Sequence, residues 1–193
     1  MSLRRWVALS AMLAACGVAA GCARAPASPV ALTSAGSPDS AAVVAMLAGT
    51  QNAACPVRGV ATGGQPDSAR FAALAAGGVR TVIDLRAPSE SRGFDEPAVA
   101  RAAGLEYANL PVTPASLSDS TFDAFRALMK KRGASAVLVH CHSGNRVGAV
   151  MVPYLVLDRG WTLERAIAAA EAGGLKTPAL KEKAVGYVRA RGR

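Results

Sequence analysis

The chain has 193 residues, of which 51% are hydrophobic and only 5% aromatic, and it carries a formal net charge of +9. That length suits one domain with appended segments better than two full domains. Few aromatic residues and no nucleic-acid-binding motif argue against a nucleic-acid partner, so the basic excess reads as a solvated face, attraction to anionic headgroups or steering of an anionic substrate.

Arg4 and Arg5 precede an apolar stretch over residues 6–15 that is too short to span a bilayer and reads as a secretory signal. Leu13-Ala14-Ala15-Cys16 fits the bacterial lipoprotein cleavage pattern, with Cys16 as the lipidated residue and Cys22, after Ala19-Ala20-Gly21, as the alternative. Residues 1–22 are therefore expected to be a signal segment. The protein is expected outside the cytoplasm, lipid-anchored to a membrane and facing the periplasm or cell exterior. A plain secretory signal is the simpler alternative. Residues 23–50, rich in Ala, Ser, Pro and Gly, are expected to form a flexible tether with a helical turn or two over 41–47. Residues 51–193 are expected to fold as the catalytic domain.

Within that domain, residues 57–61 read as a first edge strand. Asp67 and Ser68 are placed to cap a helix through Ala76, which Gly77-Gly78 end. Residues 79–85 are apolar and β-rich, a buried strand, and 86–95 form a polar loop. Glu96-Pro97 opens a short helix ended by Gly104. Residues 105–110 form a strand stopped by Pro111. Ser118 caps a helix carrying Phe122, Phe125, Leu128 and Met129 at helical spacing. A short buried strand follows at 136–139. Beyond it come helices at 147–157, where Pro153 is expected to produce a kink, at 162–172 and at 178–188. Strands alternating with helices predict an α/β fold, a central mostly parallel sheet of four to five strands flanked by helices.

The run Val139-His140-Cys141-His142-Ser143-Gly144-Asn145-Arg146-Val147-Gly148-Ala149 carries the chemistry. It sets a thiol between a strand and a helix, where free backbone N–H groups and the helix dipole favour a thiolate, the nucleophilic form. The amides of His142, Ser143, Gly144 and Asn145 can cradle an oxyanion, and Arg146 adds a forked guanidinium. Asn145 suits a left-handed turn. A buried structural thiol is the plainer reading of Cys141, but its polar neighbours disfavour it. With no Cys-x-x-Cys and no Cys/His zinc spacing, neither a metal nor another cofactor is expected.

His140, Cys141, Gly144, Arg146 and Gly148 resemble the signature of the cysteine phosphatases, the protein tyrosine and dual-specificity enzymes: His-Cys-x-x-Gly-x-x-Arg, then Ser or Thr, then Gly. One residue is missing between Gly144 and Arg146. The resulting Cys-x4-Arg spacing is the length seen in rhodanese-type sulfurtransferases, and Val147 stands where the phosphatases carry a hydroxyl. Gly64-Gln65-Pro66-Asp67 and Val79-Arg80-Thr81-Val82-Ile83-Asp84-Leu85-Arg86 resemble the start of a bacterial phosphatase-like family found beside β-lactamase-fold hydrolases, some of whose members are linked to sulfur transfer.

The resemblance implies a phosphatase-like fold with the catalytic loop between a central strand and a helix. Cys141 would be the nucleophile, Arg146 and the loop amides would hold the anion, and His140 would support the loop. Arg86 is either a second anion contact or, the favoured reading, a salt-bridge partner for Glu90. The resemblance also implies a general-acid aspartate in the loop after the 105–110 strand, but residues 110–116 contain no acid, and Asp119 reads as part of the next helix start. Phosphomonoester hydrolysis, on a small anionic substrate or a phosphoprotein, stands first. Rhodanese-type persulfide chemistry on Cys141 and oxyanion binding without turnover are the alternatives. Cys55 could form a reversible disulfide with Cys141 if the 57–61 strand lies beside the catalytic one; a small residue at the domain boundary is the favoured reading.

Overall fold

Residues 136–140 alternate their side chains between two separate apolar cores, and this places the strand they form at the centre of the molecule. Val137 and Val139 enter one core while Leu138 enters the other, and all three are fully buried. The computed structural model describes residues 39–192. The signal segment with Cys16 and Cys22, and most of the expected tether, lie outside them.

The strands are β1 (Ala54–Val57), β2 (Val60–Gly63), β3 (Val79–Asp84), β4 (Glu106–Asn109) and β5 (Ala136–His140), in the sheet order β1-β2-β5-β3-β4. Only β1 runs antiparallel to its neighbour; β2, β3, β4 and β5 are parallel. Gly63 and Asp84 both pair in register with His140, and Asp84 pairs with Asn109. The carboxyl ends of four strands therefore line up, and the loops that leave them gather at one edge, where open α/β sheets place their ligands. The α/β sheet of five mostly parallel strands agrees with the expectation.

The helices are α1 (Ser40–Met46), α2 (Arg70–Ala76), α3 (Glu96–Ala102), α4 (Asp119–Lys131), α5 (Asn145–Leu157), α6 (Leu163–Ala172) and α7 (Pro178–Arg191). Residues of α4 to α7 fill one core with Val60, Ile83, Val137 and Val139. Residues of α1 to α3 fill the other with Ala61, Val82 and Leu138. The central strands β2, β3 and β5 thus send residues into both cores, as a covered parallel sheet requires.

Four local expectations need correction. The single strand expected at 57–61 is two strands joined by a tight turn, because Gly59 takes φ +77 and reverses the chain after Val57. The helical turns expected over 41–47 are present as α1, but they belong to the folded domain and not to a tether: Asp39 caps them at the Ala42 amide, and Val43 and Leu47 lie in the core. Their apolar spacing outweighs an Ala/Ser composition that resembles a linker. Asp67 accepts from the Ala69 amide in the turn before α2 instead of capping the helix itself. The helix after Cys141 begins at Asn145, two residues earlier than its apolar pattern, so Asn145 and Arg146 occupy its first turn.

Candidate active site

The strand β5 ends at His140, and the buried Cys141 follows at once. Gly144 closes the loop with φ +87, a left-handed conformation open to glycine at little cost. That turn aims the Gly144 amide back at the thiol, with N to Cys141 Sγ at 3.1 Å. The left-handed position expected for Asn145 is therefore filled by Gly144. Asn145 instead braces the junction of α6 and α7. Its Nδ2 donates to Thr177 Oγ1 at 2.7 Å, and its Oδ1 accepts from the Lys176 and Thr177 amides.

The outer side of the loop is fixed by the segments before β1 and after β2. Asn52 Nδ2 donates to Ser143 O at 2.7 Å, and the Gln65 amide donates to His142 O at 3.1 Å. The carbonyls of Ser143 and His142 thereby point outward. His142 is exposed and Ser143 half-buried.

Arg146 leaves the first turn of α5 toward the loop after β3. Its Nη1 and Nη2 donate to the two oxygens of Glu90 at 2.6 and 2.8 Å, a bidentate pair, and Nη1 also reaches Val112 O at 3.1 Å. The Arg146 pair, with help from the Ala87 amide and against the pull of burial, holds the Glu90 carboxyl down at about 2. Glu90 in turn raises Arg146; burial opposes, and the charge of the nearby Cys141 adds to the rise. Arg146 is therefore a fixed cation beside the nucleophile.

Arg86 is buried and also salt-bridged to Glu90, Nε to Oε2 at 3.3 Å, while Nη1 donates to Gln65 Oε1 at 2.7 Å. Gln65 Nε2 then donates to Glu96 Oε2 at 3.1 Å. Glu96 Oε1 lies 2.6 Å from His140 Nε2, without the alignment of a hydrogen bond. One polar chain, His140–Glu96–Gln65–Arg86–Glu90–Arg146, thus links the residue before the nucleophile to the arginine after it. Gln65, Glu90 and Glu96 were not singled out as site residues from the sequence. The Cys-Arg loop draws attention to itself, whereas partners more than 40 positions away carry no spacing signal.

Asp84, Glu96 and His140 converge closely enough to hold a cation, their donor atoms lying within 4.8 Å of one another. Arg92 already sits there, with Nε 2.8 Å from Asp84 Oδ2, and Tyr107 donates to the same oxygen at 2.7 Å. Burial and this bond to Asp84 push the Tyr107 hydroxyl well above its ordinary value. The guanidinium supplies the positive charge that these carboxylates need, so the cluster reads as an internal ion-pair network under the loop.

Cys55 and Cys141 are both free thiols. Cys55 lies on β1, with β2 between it and β5. Two strand spacings of about 4.8 Å put the catalytic strand roughly 10 Å away. That exceeds the ~7 Å that a disulfide tolerates: the Val60–Ala61 part of the expected strand does lie beside β5, in β2, but Cys55 is one strand further out and donates instead to Val57 O at 3.3 Å.

The family profile of the beta-lactamase hydrolase-like protein, phosphatase-like domain, matches residues 57–152. The chain belongs to the cysteine phosphatase superfamily. A beta-lactamase hydrolase-like protein of Xylella fastidiosa (strain 9a5c) is 33% identical over 120 residues, 52% of this chain and 27% of that relative. The chain therefore spans only about a quarter of the length of that curated relative. Among solved structures, a DUF442 protein of Shewanella putrefaciens CN-32 superposes with TM-score 0.67 at 22% identity, covering 78% of this chain and 99% of that one. P. aeruginosa TpbA in complex with pTyr superposes with TM-score 0.55 at 22% identity, covering 72% of this chain and 83% of that one. At such identities the superpositions establish the fold.

Proposed function

We propose that this protein is an exported, lipid-anchored phosphatase in which Cys141 attacks the phosphorus of a small phosphorylated molecule or a phosphoprotein. The observation that carries the reading is the combination of Cys141 Sγ under the Gly144 amide with Arg146 held charged by Glu90. A phosphoryl group over the sulfur would place its oxygens at the N-terminus of α5, where unpaired amides and the dipole favour negative charge. Arg146 supplies a further cation to the charge that develops in transfer. The phosphotyrosine complex of TpbA is in keeping with a phosphorylated ligand.

The exported, anchored state rests on Arg4, Arg5, the apolar run and Cys16 or Cys22. Labelled palmitate entering the wild type, and lost in a Cys16→Ser, Cys22→Ser double variant, is the expected result; a full-length cytoplasmic protein contradicts it.

A second reading is supported by the Cys-x4-Arg spacing, by Val147 and by the acid-free loop after β4: Cys141 would carry a sulfane sulfur between thiophilic partners. Assays with para-nitrophenyl phosphate and with thiosulfate plus cyanide, run on wild type and Cys141→Ser, separate the two. Cys141-dependent phosphate release supports the first reading, and thiocyanate formation without it supports the second.

A further inference from the structure

We infer that Cys141 accepts phosphoryl groups whose leaving oxygen departs as a stable anion, a phosphoanhydride or an acyl phosphate, and discriminates against alkyl phosphate esters. The inference rests on the phosphatase reading. A thiolate displaces an alkyl oxygen efficiently only when an acid protonates that oxygen as it leaves, an effect worth about 10²–10⁴ in rate.

No carboxylic acid of this chain is free to do so. All thirteen Asp and Glu residues fall within the described residues. Asp39, Asp67 and Asp95 each accept a backbone amide at a turn or helix start. Asp84 and Glu96 are fully buried in the network with Arg92 and His140. Asp119, Asp123, Asp158 and Glu171 are engaged with cations along α4, α6 and α7. Glu106, Glu164 and Glu182 are exposed on β4, α6 and α7. That leaves Glu90, the one carboxyl bonded to Arg146. Held at about 2, it has no proton to give at neutral pH.

The loop after β4 cannot supply the acid by closing. Thr113 and Ser116 hydrogen-bond each other, and the backbone is pinned from two sides. Arg146 holds Val112 O, and Lys183 Nζ holds Pro114 O and Leu117 O at 2.8 and 2.9 Å.

The chemistry closes without an acid when the leaving group is itself acidic. Cys141 Sγ forms a bond to phosphorus as the P–O bond breaks, and both electrons stay on the departing oxygen. Phosphate or a carboxylate, the latter with a pKa of about 4, leaves as a stable anion at pH 7, whereas a phenol at about 10 leaves less readily. Water then adds to phosphorus, the S–P bond breaks to restore the thiolate, and inorganic phosphate and a proton pass to solvent.

The test is kcat/KM of the full chain in detergent with acetyl phosphate, inorganic pyrophosphate, para-nitrophenyl phosphate, phenyl phosphate and glycerol 2-phosphate, in wild type and His142→Gln. The rates are expected to follow leaving-group acidity, with glycerol 2-phosphate at least ~10²-fold below acetyl phosphate. The same order is expected in His142→Gln. Glycerol 2-phosphate within roughly 10-fold of acetyl phosphate overturns the inference. So does a His142→Gln loss confined to the poorer leaving groups, which would make that imidazole the acid. If every phosphate is inert while thiosulfate-to-cyanide transfer proceeds, the phosphatase reading itself falls, a result unlike either of the others.

Discussion

Replacing Glu90 with Gln should weaken both the fold and the site, with a pH signature that identifies the cause. Gln keeps one acceptor oxygen but turns an NH2 group toward the Arg146 guanidinium, so donor faces donor where two bonds of 2.6 and 2.8 Å stood. Arg146 is 14% and Glu90 30% exposed. The pair therefore lies between exposed ion pairs, worth about 0.2–1 kcal/mol, and buried ones, whose breakage costs about 3–5 kcal/mol; we expect a loss of about 1–3 kcal/mol. If the same loss falls on transition-state binding, kcat/KM drops about 5- to 150-fold.

The Glu90 carboxyl titrates lower in the folded protein than in the unfolded chain, from 4.5 to about 2. The stabilisation it gives is thus fully present above pH 4.5 and lost as pH falls toward 2. Urea unfolding of wild type and Glu90→Gln at a series of pH values reads this directly. The two curves should be separated at pH 7 and converge between pH 4.5 and 2. Equal midpoints at pH 7, or a gap that persists undiminished at pH 2, would refute the ion-pair argument.

Gly144→Ala puts a Cβ against the Gly173 carbonyl at a residue with φ +87. Left-handed strain alone costs about 1–2 kcal/mol, so a lowered melting temperature and weaker phosphate-analogue protection of Cys141 from alkylation are expected. Leu47→Ala should destabilise by about 2–5 kcal/mol in urea titration, since Leu47 is fully buried; a loss below 0.5 kcal/mol would mean that α1 is not part of the fold. Cys55→Ser should leave the alkylation rate of Cys141 unchanged, and mass spectrometry without reductant should find both wild-type thiols free, because β2 separates their strands.

The sheet and the placement of the catalytic loop were legible because they rest on local, periodic signals. Residues 79–85 and 136–139 read as apolar strands, Ser118 announced α4, and glycine turns marked the boundaries. The first hairpin was not legible as two strands, because Val57 to Ala61 is one short β-prone run and nothing nearby demands that Gly59 reverse it. The helical turns of α1 were legible but their packing onto the domain was not, because that Ala- and Ser-rich stretch is buried through only two large residues, Val43 and Leu47. In the loop, residue types located the thiol and the arginine, but not what orients them. Glu90 and Glu96 meet Arg146 and His140 only because β3 and β5 are adjacent and end in register, a long-range consequence of sheet order.

The most direct measurement is rapid quench of the wild-type chain turning over para-nitrophenyl phosphate, followed by peptide mass spectrometry. A phosphoryl adduct on the Cys141 peptide, absent in Cys141→Ser and released on further incubation, is the expected result. An unmodified Cys141 during phosphate release, or a persulfide from thiosulfate as the only adduct that forms, would contradict the assignment of Cys141 as the phosphoryl acceptor.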